Sequence, residues 1–202
     1  ESQGEIRLSK SNVVRITQQT GYPVDGAIRI ALHPSRRETF PLFIRIPAWS
    51  QSASISINGK NVTTSEVKAG EFLKIEQSWR DNDVVEVKFP MELKVHQRAE
   101  AAGIPQRGGD IYRVSWFALT RGPLVFAANG LIDGKDRERT FNLGDESLEK
   151  YFTPVSSSDE SGSPAFELRA PGHQPVLFVP YFEAGGRKEG TWRLTWLQNS
   201  VR

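Results

Sequence analysis

The chain has 202 residues, 38% of them hydrophobic, enough for one large domain or two small ones with proper cores. Its 26 basic and 24 acidic residues are interspersed and leave a net charge of +2, so no basic stripe exists to track a nucleic-acid backbone or a membrane surface. Cysteine is absent, which excludes disulfides and thiolate metal sites within the chain and leaves the compartment open, cytoplasmic or periplasmic and secreted.

Period-two alternation dominates and helical periodicity is almost missing, which predicts strands throughout. Gly26–Leu32 places Ile28, Ile30 and Leu32 on one face, and Phe40–Ile46 does the same with Phe40, Leu42, Ile44 and Ile46. Ala53–Ile57 alternates with serines and meets Asn58-Gly59, the strongest short hairpin signal because both turn positions need positive φ. Phe72–Glu76 and Val84–Phe89 follow, separated by the polar turn Trp79-Arg-Asp-Asn-Asp83, and Met91–Gln97 continues extended. The first domain is therefore expected over 1–98. The Gly-rich stretch 99–110 reads as a linker and 111–202 as a second domain. In that half, strands are expected near 111–120, 123–129, 165–169, 176–182 and 191–197, with one short helix over Asp145–Tyr151 and a mobile surface loop over Ser156–Pro164. The predicted fold is all-β: two consecutive antiparallel β-sandwiches of jelly-roll or Ig-like kind. No apolar run approaches the ~20 residues of a spanning helix, and residues 1–15 lack a signal-peptide layout.

Tests for chemistry return little. There is no Gly-x-Ser-x-Gly elbow and no Cys–His pair. His33, His96 and His173 are isolated, and Asp81-Asn82-Asp83 is too short for a calcium loop. Gly185–Gly190 opens no helix and reads as a hairpin connection instead of a phosphate cradle. No two of the acids stand out as a glycosidase pair. Asn61-Val62-Thr63 is a glycosylation sequon, meaningful only in a eukaryotic secretory host. Of the five tryptophans, Trp49 and Trp79 are the candidates for stacking on a sugar, while Trp192 and Trp196 have the even spacing that puts two residues on one strand face.

One stretch interrupts the pattern. In Trp116–Phe126, Arg121-Gly122-Pro123 separates two apolar runs, which reads as a kink or bulge between strand segments. That stretch is one of a series: Thr20-Gly-Tyr-Pro-Val-Asp-Gly26, Phe43-Ile-Arg-Ile-Pro-Ala-Trp49, Ile57-Asn-Gly59, Gly70–Ile75, Trp79–Val84, Pro90-Met91, Leu119–Val125 and Val179-Pro-Tyr-Phe-Glu-Ala-Gly-Gly-Arg187. In this order they resemble the C-terminal part of the glycoside hydrolase family typified by bacterial β-L-arabinofuranosidases, long labelled a domain of unknown function.

The resemblance implies two β-sandwiches downstream of an N-terminal (α/α) barrel that carries catalysis, with a Cys nucleophile near a zinc held by Cys and Glu. With neither Cys nor barrel, the chain is expected to hold no catalytic, cofactor-binding or metal-binding residue; a zinc would belong to the missing domain. Its expected role is a non-catalytic accessory region of a bacterial glycoside hydrolase. The implied partners are that barrel, plant-type arabinose-containing glycans and, as an open alternative, a second copy in a homodimer. Arg121, Gly122, Pro123 and Tyr181 are expected to have structural or interface duty. Two rival readings stay open: a carbohydrate-binding module and a free-standing Ig-like interaction protein.

Overall fold

Residues 1–62, 67–102, 112–129, 140–144, 147–156, 162–184 and 193–200 are described by a computed structural model of the chain. Their regular structure is strand apart from one 3₁₀ turn, and they divide into two units, Glu1–Met91 and Glu92–Arg202.

The first unit holds β1 (Ser2–Ser9), β2 (Asn12–Thr20), β3 (Ala27–Pro34), β4 (Glu38–Arg45), β5 (Ser54–Ile57), β6 (Lys60–Asn61), β7 (Phe72–Trp79) and β8 (Asp83–Lys88). Six strands form one antiparallel sheet in the order β1-β2-β3-β8-β5-β6, and β4 pairs with β7 in a second, two-stranded sheet. The apolar phase of each strand points into one core: Leu32, Ile55, Val85 and Val87 from the large sheet, Ile44, Leu73, Ile75 and Trp79 from the small one. Trp79 is fully buried and its indole N–H donates to the Phe40 carbonyl at 2.9 Å, so the ring brings no unpaired donor into the core.

The turns are built as their residue types require. Asn58 and Gly59 have φ of 50° and 77°, closing the two-residue β5–β6 hairpin. The Asn58 side chain also bridges to β8, accepting from Val84 N–H and donating to Asp83, each at 2.8 Å. In the turn after Trp79, Arg80 N–H donates to the Asp83 carboxylate at 2.7 Å, and Asn82 takes φ 67°. Gly26 is dictated by close approach, because a Cβ there would meet the Phe89 carbonyl at 1.9 Å. β1 and β2 are absent from the sequence expectation. β1 is an exposed edge strand with almost no buried residue, so it leaves no alternating apolar signal.

The second unit holds β9 (Leu93–Ala102), β10 (Tyr112–Arg121), β11 (Leu124–Asn129), β12 (Thr140–Phe141), β13 (Phe152–Val155), β14 (Ala165–Leu168), β15 (Val176–Pro180), β16 (Arg193–Leu194) and β17 (Leu197–Ser200). They form one sheet along β12-β17-β10-β11-β15-β14-β13, with β9 on β10 and β16 on β11. All pairs are antiparallel except β12 with β17. The core is rich in phenylalanine: Phe117 packs edge-on against Phe141 and Phe152, Phe152 against Phe178, and Phe126 against Phe166. Buried Asn199 is satisfied, accepting from Leu143 N–H at 2.9 Å and donating to the Gly144 carbonyl at 3.2 Å.

Several expectations change here. The division falls at Met91/Glu92 and not after residue 98, because β9 pairs with β10 from Leu93 to Ala102. The sequence places that segment at the end of the first domain and the start of a linker; the remainder of that linker, 103–110, lies outside the described residues. The short helix is a single 3₁₀ turn, Leu148–Tyr151. Arg121-Gly122-Pro123 is no kink or bulge. Arg121 pairs with Leu124 across a two-residue hairpin joining β10 to β11. Gly122 has φ 56°, and with the fixed φ of Pro123 after it this is the combination a type II′ turn requires. Trp196 lies between β16 and β17 instead of inside one strand, and Trp192, 157–161 of the expected loop, and the stretch 185–190 lie outside the described residues.

Candidate functional site

The outward phase of the six-stranded sheet is polar, as expected for an antiparallel sheet with one solvated face. Its register aligns five of those residues in a single transverse row. Gln19 on β2 pairs with Arg29 on β3, Arg29 with Glu86 on β8, Glu86 with Ser56 on β5, and Ser56 with Asn61 on β6. Directly opposed side chains in a sheet are close enough to interact. Arg29 Nη1 donates to Glu86 Oε1 at 3.0 Å and Ser56 Oγ donates to Glu86 Oε2 at 3.2 Å. Both members of the ion pair stay half exposed, so the pair is weak as a stabilising element and open to other partners.

Small residues beside this row make it a groove instead of a flat face. Ala27 on β3 and Ser54 on β5 both pair with Lys88 on β8, leaving room between the longer side chains. The resulting groove has a volume of about 480 Å³ and is lined by Gln19, Ala27, Arg29, Ser54, Ser56 and Glu86 among others. A smaller depression shares Gln19 and Arg29 and extends to Ala31 and His33. His33 Nδ1 is hydrogen-bonded to Asp81 Oδ1 at 2.8 Å.

The Thr20–Gly26 stretch borders the groove through Thr20, Gly21 and Asp25. It holds itself together locally. Thr20 Oγ1 donates to the Ala27 carbonyl at 2.8 Å and accepts from Tyr22 N–H at 2.9 Å, while the Asp25 carboxylate accepts from Ala27 N–H at 2.9 Å. Gly21 makes room for that carboxylate, which lies 2.4 Å from where a Cβ would stand.

The residues singled out from sequence lie elsewhere. Trp79 is buried and presents no face to a sugar. Trp49 is partly buried and stacks edge-on against Phe89 at 5.8 Å. Arg121, Gly122 and Pro123 form the β10–β11 turn of the second unit. Tyr181 is 46% exposed, with the Arg193 guanidinium 5.2 Å from its ring centroid. Among the described residues, no group of three or more His, Cys, Asp or Glu side chains could hold a metal, and a zinc site requiring cysteine does not fit a chain without one. The acids of Asp81-Asn82-Asp83 are engaged by His33, Asn82, Arg80 and Asn58. What the sequence reading missed is the row itself. Each member is an ordinary polar residue in alternation; only the pairing register brings them together.

Fold and site thus define an all-β chain of two units, the first a sandwich with a groove of mixed polar and apolar lining on its larger sheet. Residues 2–91 match the family model described as the middle domain of GH127 beta-L-arabinofuranosidase. The sequence resemblance places the whole chain in the C-terminal part of such enzymes; for the first unit, the matching model is that of a middle domain. Solved structures with a similar fold include a GH127 beta-L-arabinofuranosidase from Geobacillus stearothermophilus T6, at 23% identity and a TM-score of 0.68, covering 98% of this chain and 32% of that one. A second, described as a glycoside hydrolase, has 21% identity and a TM-score of 0.68, covering 99% and 34%. A third, a GH127 beta-arabinofuranosidase, has 21% identity and a TM-score of 0.66, covering 99% and 33%. At such identities the likeness is one of fold, and the chain spans about a third of the length of each of these structures. No curated protein matches the sequence.

Proposed function

We propose that the chain is a non-catalytic accessory region of a bacterial glycoside hydrolase of β-L-arabinofuranosidase kind. The observation that carries this reading is the match of residues 2–91 to the GH127 middle-domain model. Three further facts support it. The fold likeness to two GH127 enzymes runs over nearly the whole chain, the chain spans about a third of their length, and it has no cysteine. In this reading the two units brace a catalytic (α/α) barrel carried on the remainder of a longer polypeptide, where any zinc would also reside. Arabinose-containing plant glycans are the substrates of that parent, and a homodimer contact is a further role open to the same surfaces.

The test is direct. The purified 202-residue protein is expected to release no chromophore from an aryl β-L-arabinofuranoside. In the native source, the sequence is expected within a polypeptide far heavier than 22.6 kDa. Turnover by the chain alone, or a native mass near that value, would sink the reading.

A further inference from the structure

We propose that the groove across the six-stranded sheet is a non-catalytic binding site for a neutral, hydroxyl-rich chain, an oligosaccharide. The choice of a saccharide among hydroxyl-rich ligands rests on the accessory role above; the rest comes from the groove. Its charged lining is balanced, with Arg29 and Lys88 against Asp25 and Glu86. A net charge of zero gives neither an anion such as phosphate nor a free cation an electrostatic reason to dwell there.

What the lining does offer is a dense alternation of donors and acceptors. Arg29 and Lys88 only donate, Asp25 and Glu86 only accept, the amides of Gln19 and Asn61 and the hydroxyl of Ser54 do both, and the Ser56 hydroxyl, whose proton goes to Glu86, accepts. Adjacent donor and acceptor groups suit the vicinal hydroxyls of a sugar ring, each of which also donates and accepts. The half-exposed Arg29–Glu86 pair sets a donor beside an acceptor at the middle of the row, and each end is open to a hydroxyl of the ligand. The row from Gln19 to Asn61 crosses five strands, roughly 19 Å at ~4.8 Å per strand, so it presents an elongated site and not a pit for one small molecule. Among the described residues no aromatic ring lines it, so binding rests on hydrogen bonds and is expected to be weak and fast.

The experiment is a titration of the isotope-labelled full chain with arabinan, xylan and arabinogalactan oligosaccharides, followed by amide chemical shifts. At least one series is expected to move Gln19, Arg29, Ser56 and Asn61 together, while inorganic phosphate moves none of them. Gln19→Ala removes a lining amide and Ser54→Tyr fills the floor; each is expected to weaken binding at least fivefold, with an unchanged fold judged by the remaining spectrum. Tyr181→Ala, in the other unit, is expected to leave affinity unchanged. If Ser54→Tyr does not fold, Gln19→Ala and Tyr181→Ala still decide. Shifts from none of the three saccharides, binding of phosphate, or binding lost with Tyr181→Ala and kept in Gln19→Ala would each overturn the site. Such a failure with the chain still inactive on an aryl arabinofuranoside removes the groove proposal alone; turnover removes the accessory reading instead.

Discussion

Trp79 stands beside a polar turn, which makes it a candidate for sugar stacking on sequence, although core packing is the commoner fate of such a ring; it is among the most completely buried side chains of the first unit. The cause is its place at the last residue of β7, on the inward phase set by Leu73 and Ile75. Its energetics follow from that. Trp79→Ala removes a large buried ring and is expected to cost about 3–5 kcal/mol, while Trp79→Phe keeps most of the volume and leaves the Phe40 carbonyl without its indole donor, costing about 1–2 kcal/mol. Urea unfolding of the two variants checks both values, and a Trp79→Phe variant as stable as the parent would show that the hydrogen bond contributes nothing. Gly26 illustrates a different constraint, in which the backbone and not a side chain fixes the residue. Gly26→Ala must push the start of β3 away from Phe89, whose N–H donates to the Gly26 carbonyl at 3.0 Å. It is expected to lower the thermal midpoint more than Gly59→Ala, where a Cβ would meet open space and only the positive φ is penalised, by about 1–2 kcal/mol.

Among the elements, hairpins were the most legible. Asn58-Gly59 carries its own conformational signature, and the structure places a two-residue turn there. Gly122-Pro123 carries one too, but a positive φ allowed at Gly122 and a missing donor at Pro123 suit a kink or bulge between two strand segments as well as a hairpin turn. Only the pairing of Arg121 with Leu124 shows two strands returning on each other. The 3₁₀ turn at Leu148–Tyr151 was less legible, since its anchoring comes from a distant strand. Glu149 accepts from Ser147 Oγ at 2.6 Å and from Val95 N–H on β9 at 3.3 Å. The Ser147 hydroxyl holds this carboxyl below its ordinary value of 4.5; burial, the next influence in size, opposes it, and the backbone N–H groups of Glu149 and Val95 add to the lowering. A depressed folded-state pKa adds stability that is present above the unfolded value and is lost as pH falls through the folded one. The second unit should therefore lose a small increment of stability on acidification below about 4.5. Glu149→Gln should flatten that increment in unfolding midpoints measured from pH 6 to pH 3, and an unchanged acid slope would refute the linkage.

At the scale of the whole molecule, the fold class was readable because each strand writes its alternation locally, whereas the groove was not, because it is a property of register. Gln19, Arg29, Glu86, Ser56 and Asn61 are spread over 68 positions of the sequence, and nothing local says that they stand in one row. The same separation of local pattern from long-range pairing bears on stability. The described core residues fall into two clusters, one drawn wholly from residues up to Phe89 and the other wholly from Leu93 onward. Chains with more than one such core depart from a single all-or-none transition. Calorimetry of the full chain is therefore expected to resolve two transitions. Trp79→Ala should lower one and leave the other in place. Phe126→Ala, which removes a fully buried ring packed edge-on against Phe166, should do the reverse at a similar cost of about 3–5 kcal/mol. A single transition moved equally by both substitutions would mean that the two cores melt as one cooperative body, since a cavity in either would then be felt by both.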